Sequence, residues 1–232
     1  MEGRKMKVGR VPLILRTLKD VNDFVGCAVM SRTWKMPEES FSISALNCMA
    51  GRSMVSKPNS VCHDCYALKG RYRMTKQSNA MRLRLELTQT DYFIPIMVFY
   101  IIKKETKHFR WFDSGDIQSI KMLDDICEIC RQTPGTKHWL PTKEWKLVRK
   151  YIEFDGNIIP ENLDIRLSAL YINGKPPTKL ARRLGLNTST VVSKDIYNKL
   201  SFKCPASKQD NKCQSCRACW TKDIKNVPYL YH

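Results

Sequence analysis

Seven of the ten cysteines fall into two groups whose spacing suits metal or cluster ligation. Cys204, Cys213, Cys216 and Cys219 form a C-x8-C-x2-C-x2-C run within KCPASKQDNKCQSCRACW (203–220). Polar residues and Pro205 exclude a regular amphipathic helix there, and little apolar surface is available to fold around, so a metal is expected to order the segment. Zinc held by four sulfurs is one candidate. A 4Fe–4S cluster is the other, and the better fit, because C-x2-C-x2-C with one outlying cysteine is ferredoxin-type spacing. Cys48, Cys62 and Cys65 number three. Three thiolates on a 4Fe–4S cluster leave one iron open, the arrangement that binds the amino and carboxylate groups of S-adenosylmethionine. The alternative is a fourth ligand from a C-terminal cysteine, which would close the site and make it structural. His63 lies between two of these cysteines and is read as an occupant of the loop. Cys127 and Cys130, on the apolar stripe of a predicted helix, and the isolated Cys27 read as core residues.

The elements that must position these groups follow from periodicity. Residues 41–46 alternate as a short strand running into Cys48, and the Gly-, Pro- and Ser-containing stretch 49–61 is expected to be irregular. A helix is expected from about Ser78. A second, over 92–104, would place Ile94, Met97, Val98 and Ile101 on one face. A strand at 109–112 ends in Asp113, Ser114 and Asp116. Ile120, Leu123, Cys127 and Cys130 mark a helix that stops at Pro134. A strand at 138–140 ends at Thr142 and Lys143, Trp145, Val148 and Ile152 mark a helix, and 163–168 is a third strand ending in Ser168. Such alternation implies parallel strands with helical crossovers, and functional groups gather where the strands end. Asp113, Ser114 and Asp116 are therefore candidate catalytic or proton-relaying residues. Thr142, Lys143 and Ser168 are candidate cofactor-binding residues lining the same mouth. For Asp116 a helix cap near Ile117 is the competing reading.

The expected fold is α/β: a partial (β/α) barrel-like parallel sheet with an irregular Cys-rich C-terminal appendage. The boundaries are a basic N-terminal segment (1–40, with Arg4, Lys5, Lys7 and Arg10), an α/β core carrying the cysteine loop (41–172) and a basic appendage (173–232). Residues 178–200 also read as a helix-turn-helix, although the β-branched run at 188–192 prefers a strand.

Several stretches together resemble a bacteriophage family, that of gene product eighty-eight. They are CHDCYALKGRY (62–72), FRWFDSGDIQS (109–119), HWLPTK (138–143), NLDIRLS (162–168), NTSTVVSK (187–194) and CPASKQDNKCQSCRACW (204–220). The resemblance covers about 41–220 and implies a phage origin and no particular activity. The cysteine pair followed by Tyr66-Ala67, and the Ser-Gly-Asp turn after a strand, also resemble the radical-SAM superfamily, which implies a partial barrel with a cluster loop after the first strand. Thirteen residues separate Cys48 from Cys62, where that superfamily has three, and Asp64 stands where it has an aromatic.

Forty basic residues against twenty-two acidic ones give a net charge of +18 over 232 residues. Residues 66–85 carry six basic and no acidic side chains, and 175–232 carry twelve against three. Lys69, Arg71, Tyr72 and Arg73, just after the cysteine pair, suit phosphate contacts beside a stacking ring, so nucleic acid is the expected partner. The apolar run 94–102 is about half the ~20 residues of a membrane span, and VPLIL (11–15) is too short for a signal-peptide core. A soluble protein of the host cytoplasm is expected, with no membrane association. Two functions fit. One is an iron–sulfur, radical-SAM-like protein, an enzyme acting on nucleic acid or a nucleotide. The other is a non-catalytic nucleic-acid-binding protein stabilised by zinc or a cluster.

Overall fold

A computed structural model describes residues 16–231, so Arg4, Lys5, Lys7, Arg10 and the VPLIL run lie outside the described residues. The chain opens with helix α1 (Leu18–Val25), whose Thr17 and Asp20 form a reciprocal capping box. Strand β1 (Ser40–Phe41) is shorter than the expected 41–46. The chain leaves the ladder because the Ser44 hydroxyl accepts from the Leu46 amide at 3.3 Å and starts a 3-10 turn over Ala45–Asn47. The stretch expected to be irregular holds a helix, α2 (Met49–Met54). Helix α3 (Thr75–Leu87) begins ahead of Ser78. Helix α4 (Phe93–Lys103) buries Phe93, Ile96, Met97, Tyr100 and Ile101, which leaves Ile94 and Val98 on the half-buried flank.

From there the alternation follows the sequence closely. Strand β2 (His108–Trp111) is followed by helix α5 (Ile120–Gln132), capped by the Ser119 hydroxyl on the Met122 amide at 3.0 Å. Cys127 and Cys130 are fully buried on its inner face, as core residues. Strand β3 (Lys137–Thr142) leads to helix α6 (Trp145–Arg149), which runs on as a wider π turn over Lys150–Phe154. Strand β4 (Leu163–Ser168) matches its expected limits.

The alternation does not stop at 172. Helix α7 (Thr178–Arg183) leads to strand β5 (Asn187–Val192), which pairs with β4. The β-branched run is thus a strand, and the helix-turn-helix reading falls. After helix α8 (Lys194–Lys199) and the Cys-rich stretch comes strand β6 (Asn226–Leu230), paired with β5. The irregular cysteine segment is therefore inserted between two strands of the sheet. Pro228 is tolerated in β6 because that strand is the sheet's edge.

All six strands are parallel and lie in sequence order, forming an open sheet. Each crossover steps to the adjacent strand in one direction, an order that gathers the crossover helices on one face. Leu163, Ile165 and Leu167 of β4 join that helical core. Asp164 and Arg166, pointing the other way, are covered by the Cys-rich segment and buried as well. A second, small apolar cluster of Trp139, Cys219, Trp220 and Val227 lies there. Among the described residues no helix is long and apolar enough to cross a membrane.

Arg166 is fully buried. Its Nη1 and Nη2 donate to the carbonyls of Ile224 (2.7 Å), Thr221 (2.8 Å), Ala218 (2.9 Å) and Thr188 (3.3 Å). The Asp164 carboxylate stands 2.7 Å away. Arg166→Met should cost ~3–5 kcal/mol in urea unfolding, because it leaves a buried carboxylate and several carbonyls without their donor. A loss below ~1 kcal/mol would contradict this role. Burial raises the Asp164 carboxyl to about 6 despite the guanidinium. Its folded value lies above the unfolded one, so its contribution to stability is present below the unfolded value and lost as pH rises through about 6. Between pH 4 and 7 the wild type should lose ~1–2 kcal/mol more than Asp164→Asn; parallel profiles would refute the assignment.

Candidate metal centre

The first thiol group sits on a segment that crosses the mouth of the sheet. Cys48 precedes α2, and the Glu144 carboxylate accepts from the Ala50 amide at 2.7 Å, which fastens the first turn of α2 to the end of β3. The Ser60 hydroxyl donates to the Met54 carbonyl (2.7 Å) and accepts from the amides of Cys62 (3.1 Å) and His63 (3.0 Å). Two backbone bonds, Val61 to Leu170 and Ile172 to Asn59 (both 2.9 Å), then pin the segment to the chain after β4. Gly51 allows the close approach. A Cβ there would stand 2.8 Å from Cys48 Cβ, 3.7 Å from Cys48 Sγ and 3.8 Å from Cys62 Sγ.

Burial pushes the Cys48 thiol well up, with Asp116, Cys65 and Cys62 adding and Lys143 opposing. Burial raises Cys62 in the same way, again against the Lys143 ammonium. The structure thus brings Cys48, Cys62 and Cys65 into one electrostatic neighbourhood with Asp116 and Lys143. His63 stays out of it, exposed and with its Nδ1 2.8 Å from the Val55 carbonyl oxygen.

Asp116 is a strut between strand ends and not a helix cap, since Ser119 caps α5. Its Oδ1 accepts from Thr142 Oγ1 (2.6 Å) and the Ile117 amide (2.9 Å), and its Oδ2 from the Lys143 amide (2.8 Å). Burial raises it to about 6. The turn holding it requires Gly115, at φ +87, where a Cβ would meet Ile43 Cγ1 at 2.3 Å. Thr142 is fully engaged, donating to Asp116 and accepting from the Glu144 amide at 3.0 Å. Asp113 is buried beside Tyr72, whose hydroxyl donates to its Oδ2 at 3.2 Å. Among the described residues no side chain or amide satisfies its Oδ1 or the Ser114 hydroxyl within hydrogen-bond geometry. Ser168 is paired with Ser189, Oγ to Oγ at 3.0 Å, and takes no part in the Asp116 network.

The second group gathers against the opposite face of the sheet from the helical core. Burial lifts Cys204 to about 11, and Cys213 and Cys216 add to it. Cys219, beside the Tyr229 hydroxyl at 3.1 Å, is pushed up to about 12 by burial. Cys213 is raised by burial against the opposing charge of Arg110. Backbone bonds hold the group in place: the amide of Cys204 to the Pro228 carbonyl and that of Cys213 to the Lys35 carbonyl, both 3.0 Å.

Both gatherings are all-sulfur, which suits zinc or an iron–sulfur cluster by donor chemistry. Neither is a preformed cage: among the described residues no group of three or more His, Cys, Asp or Glu side chains stands where it could hold a metal ion. Two cavities among the described residues, of about 310 and 300 Å³, lie away from the mouth, for neither is lined by a cysteine or by Asp116.

The expected nucleic-acid residues are only partly free. Arg71 and Arg73 are exposed, and Lys69 pairs with Asp64 at 2.9 Å. Tyr72 is turned inward, its ring 5.8 Å from that of Tyr66 and its hydroxyl on Asp113, so it forms the wall of the mouth. Glu144, Arg110 and Arg166 escaped the sequence reading. Glu144 directly follows the Thr142-Lys143 strand end, a position that could have flagged it.

The family model of Gene product 88 matches residues 27–222, which include both thiol groups and every strand but β6. The chain belongs to the Gene product 88 family. Comparison of this Gene product 88 chain with curated proteins and with solved structures finds no match. The comparisons give no support to the other resemblance, to the radical-SAM superfamily.

Asp116→Asn should cost ~1–3 kcal/mol, because one carboxamide oxygen cannot serve three donors. Hydrogen exchange should speed at the amides of Ile117 and Lys143. Unchanged stability and exchange would show that Asp116 is no strut.

Proposed function

We propose that the protein is a phage-encoded iron–sulfur protein of radical-SAM-like type that acts on nucleic acid or a nucleotide. The observation that supports this most is the closeness of Cys48 and Cys62 around Gly51 at the mouth of a sequentially ordered parallel sheet, with Cys65, Asp116 and Lys143 in electrostatic reach. When bound, a three-thiolate 4Fe–4S cluster supplies an electron and an open iron position for the amino and carboxylate groups of S-adenosylmethionine.

The chain's own groups have definite tasks in this reading. Burial keeps the Cys48 and Cys62 thiols protonated, so metal uptake must expel protons and must weaken as the medium is acidified. The Lys143 ammonium offsets the negative charge that builds up as they ionise. Asp116 holds the Lys143 backbone, and Glu144 holds α2, so both sides of the mouth are fixed to the end of β3. Cys204, Cys213, Cys216 and Cys219 would form a second, closed site that orders the inserted segment. The net charge of +18 favours a polyanionic substrate.

Anaerobically purified protein should be brown and contain iron and sulfide. Cys62→Ala should lose one share of that iron and Cys213→Ala the other, and only Cys213→Ala should become open to proteolysis within about residues 200–225. Colourless protein that holds zinc without sulfide would replace this reading with that of a metal-stabilised scaffold. Protein with no metal at all would remove both.

A further inference from the structure

A cavity of about 300 Å³ opens between two segments: Trp34, Lys35, Met36 and Pro37 on one side, and Lys212, Gln214 and Arg217 on the other. Three of these seven side chains are cationic and none is acidic. The neighbouring Glu38 does not line the cavity; its carboxylate is turned to the backbone amides of Lys107 and His108 (3.0 Å for the latter). Trp34 is 65% exposed, an unusual place for an indole, and the Lys212 ammonium lies over its ring at 4.2 Å from the centre. Arg217 Nη1 donates to the carbonyls of Gln214 and Cys216, which fixes the guanidinium at the wall. The two sides are tied together by the 3.0 Å bond from the Cys213 amide to the Lys35 carbonyl.

With the Lys212 ammonium over one face, the exposed ring offers its other face to a base, while Lys35 and Arg217 in the same lining add charge for a phosphate. A purely acidic peptide would use the cations and leave the indole idle. The volume is at the small end of ligand pockets, suited to one nucleotide unit and not to a duplex. We propose that this cleft binds a nucleotide unit, its base stacked on Trp34 and its phosphate held by Lys35, Lys212 and Arg217. The inference rests on the nucleic-acid part of the function proposed above and supplies that part with a site. The unit is either a free nucleotide or one residue of a single strand.

The full chain, prepared anaerobically, would be titrated into a fluorescein-labelled oligothymidylate followed by anisotropy, with adenosine monophosphate as competitor. Trp34→Ala should weaken strand binding about tenfold or more without changing its salt dependence, and Trp34→Phe should restore most of it. Lys212→Gln and Arg217→Gln should each flatten the log–log salt slope by ~0.7. Displacement by adenosine monophosphate identifies the free nucleotide as a ligand; strand binding that it does not displace identifies a strand residue. Either supports the cleft, provided that Trp34→Ala impairs it. Wild-type affinity in Trp34→Ala overturns the proposal, as does competition by polyglutamate equal to that by adenosine monophosphate. Loss of binding only when Lys69, Arg71 and Arg73 are all replaced by Ala overturns it as well. Iron and sulfide would be measured in each sample: Trp34-dependent binding by iron-free protein supports the cleft and counts only against the cluster.

Discussion

One buried guanidinium governs the face of the sheet turned away from the helices. An irregular, sulfur-rich segment laid against a sheet carries carbonyls that no ladder can satisfy, and a buried carbonyl left alone is costly. Arg166 answers this with a rigid fork of donors from the middle of β4, reaching the carbonyls of Ala218, Thr221 and Ile224 at 2.7–2.9 Å. Asp164 on the same strand supplies the countercharge. With the segment clamped, Trp220 packs on Trp139 at 5.2 Å between ring centres and donates its indole N–H to the Phe109 carbonyl at 2.9 Å. Cys219 is then seated beside Tyr229. Cys204 and Cys213 pack against the same small cluster, so the protein's own contacts seat three of the four C-terminal cysteines.

The same logic links the two sulfur groups. Arg110 of β2 lies over the Trp139 ring at 4.6 Å, and its guanidinium is raised above its ordinary value by Tyr66, Asp113, Tyr229 and Tyr72, which outweigh burial. It also opposes the rise of the Cys213 thiol. One cation therefore stands between the tyrosines that follow Cys65 and the C-terminal cysteines.

Much of this was legible in the sequence, for identifiable reasons. The strand 163–168, the α5 stripe with Cys127 and Cys130, and the Asp116, Thr142 and Lys143 strand ends follow from strict periodicity. The short β1 did not, because the Ser44 turn ends its pairing where hydrophobic alternation alone would continue it. Helix α1 was missed although Thr17 and Asp20 carry a capping box, and β6 was missed because Pro228 argues against a strand until the edge position is known. That Cys48 and Cys62 come near each other around Gly51 was suggested by the cysteine-rich loop. The anchoring of their segment by Glu144 was not, since it joins residues 94 apart. Arg166 acts through partners distant in sequence, and the Trp34 ring meets Lys212 from far along the chain; no local pattern announces such contacts.

The central claim is that Cys48, Cys62 and Cys65 hold a cluster with one iron left open. Electron paramagnetic resonance of the anaerobically reduced protein, recorded before and after addition of S-adenosylmethionine, tests it most directly. The account predicts a reduced-cluster signal that changes shape on addition in the wild type and in Cys213→Ala, and is unresponsive in Cys62→Ala. A wild-type signal that ignores S-adenosylmethionine, or no cluster signal at all, would contradict it.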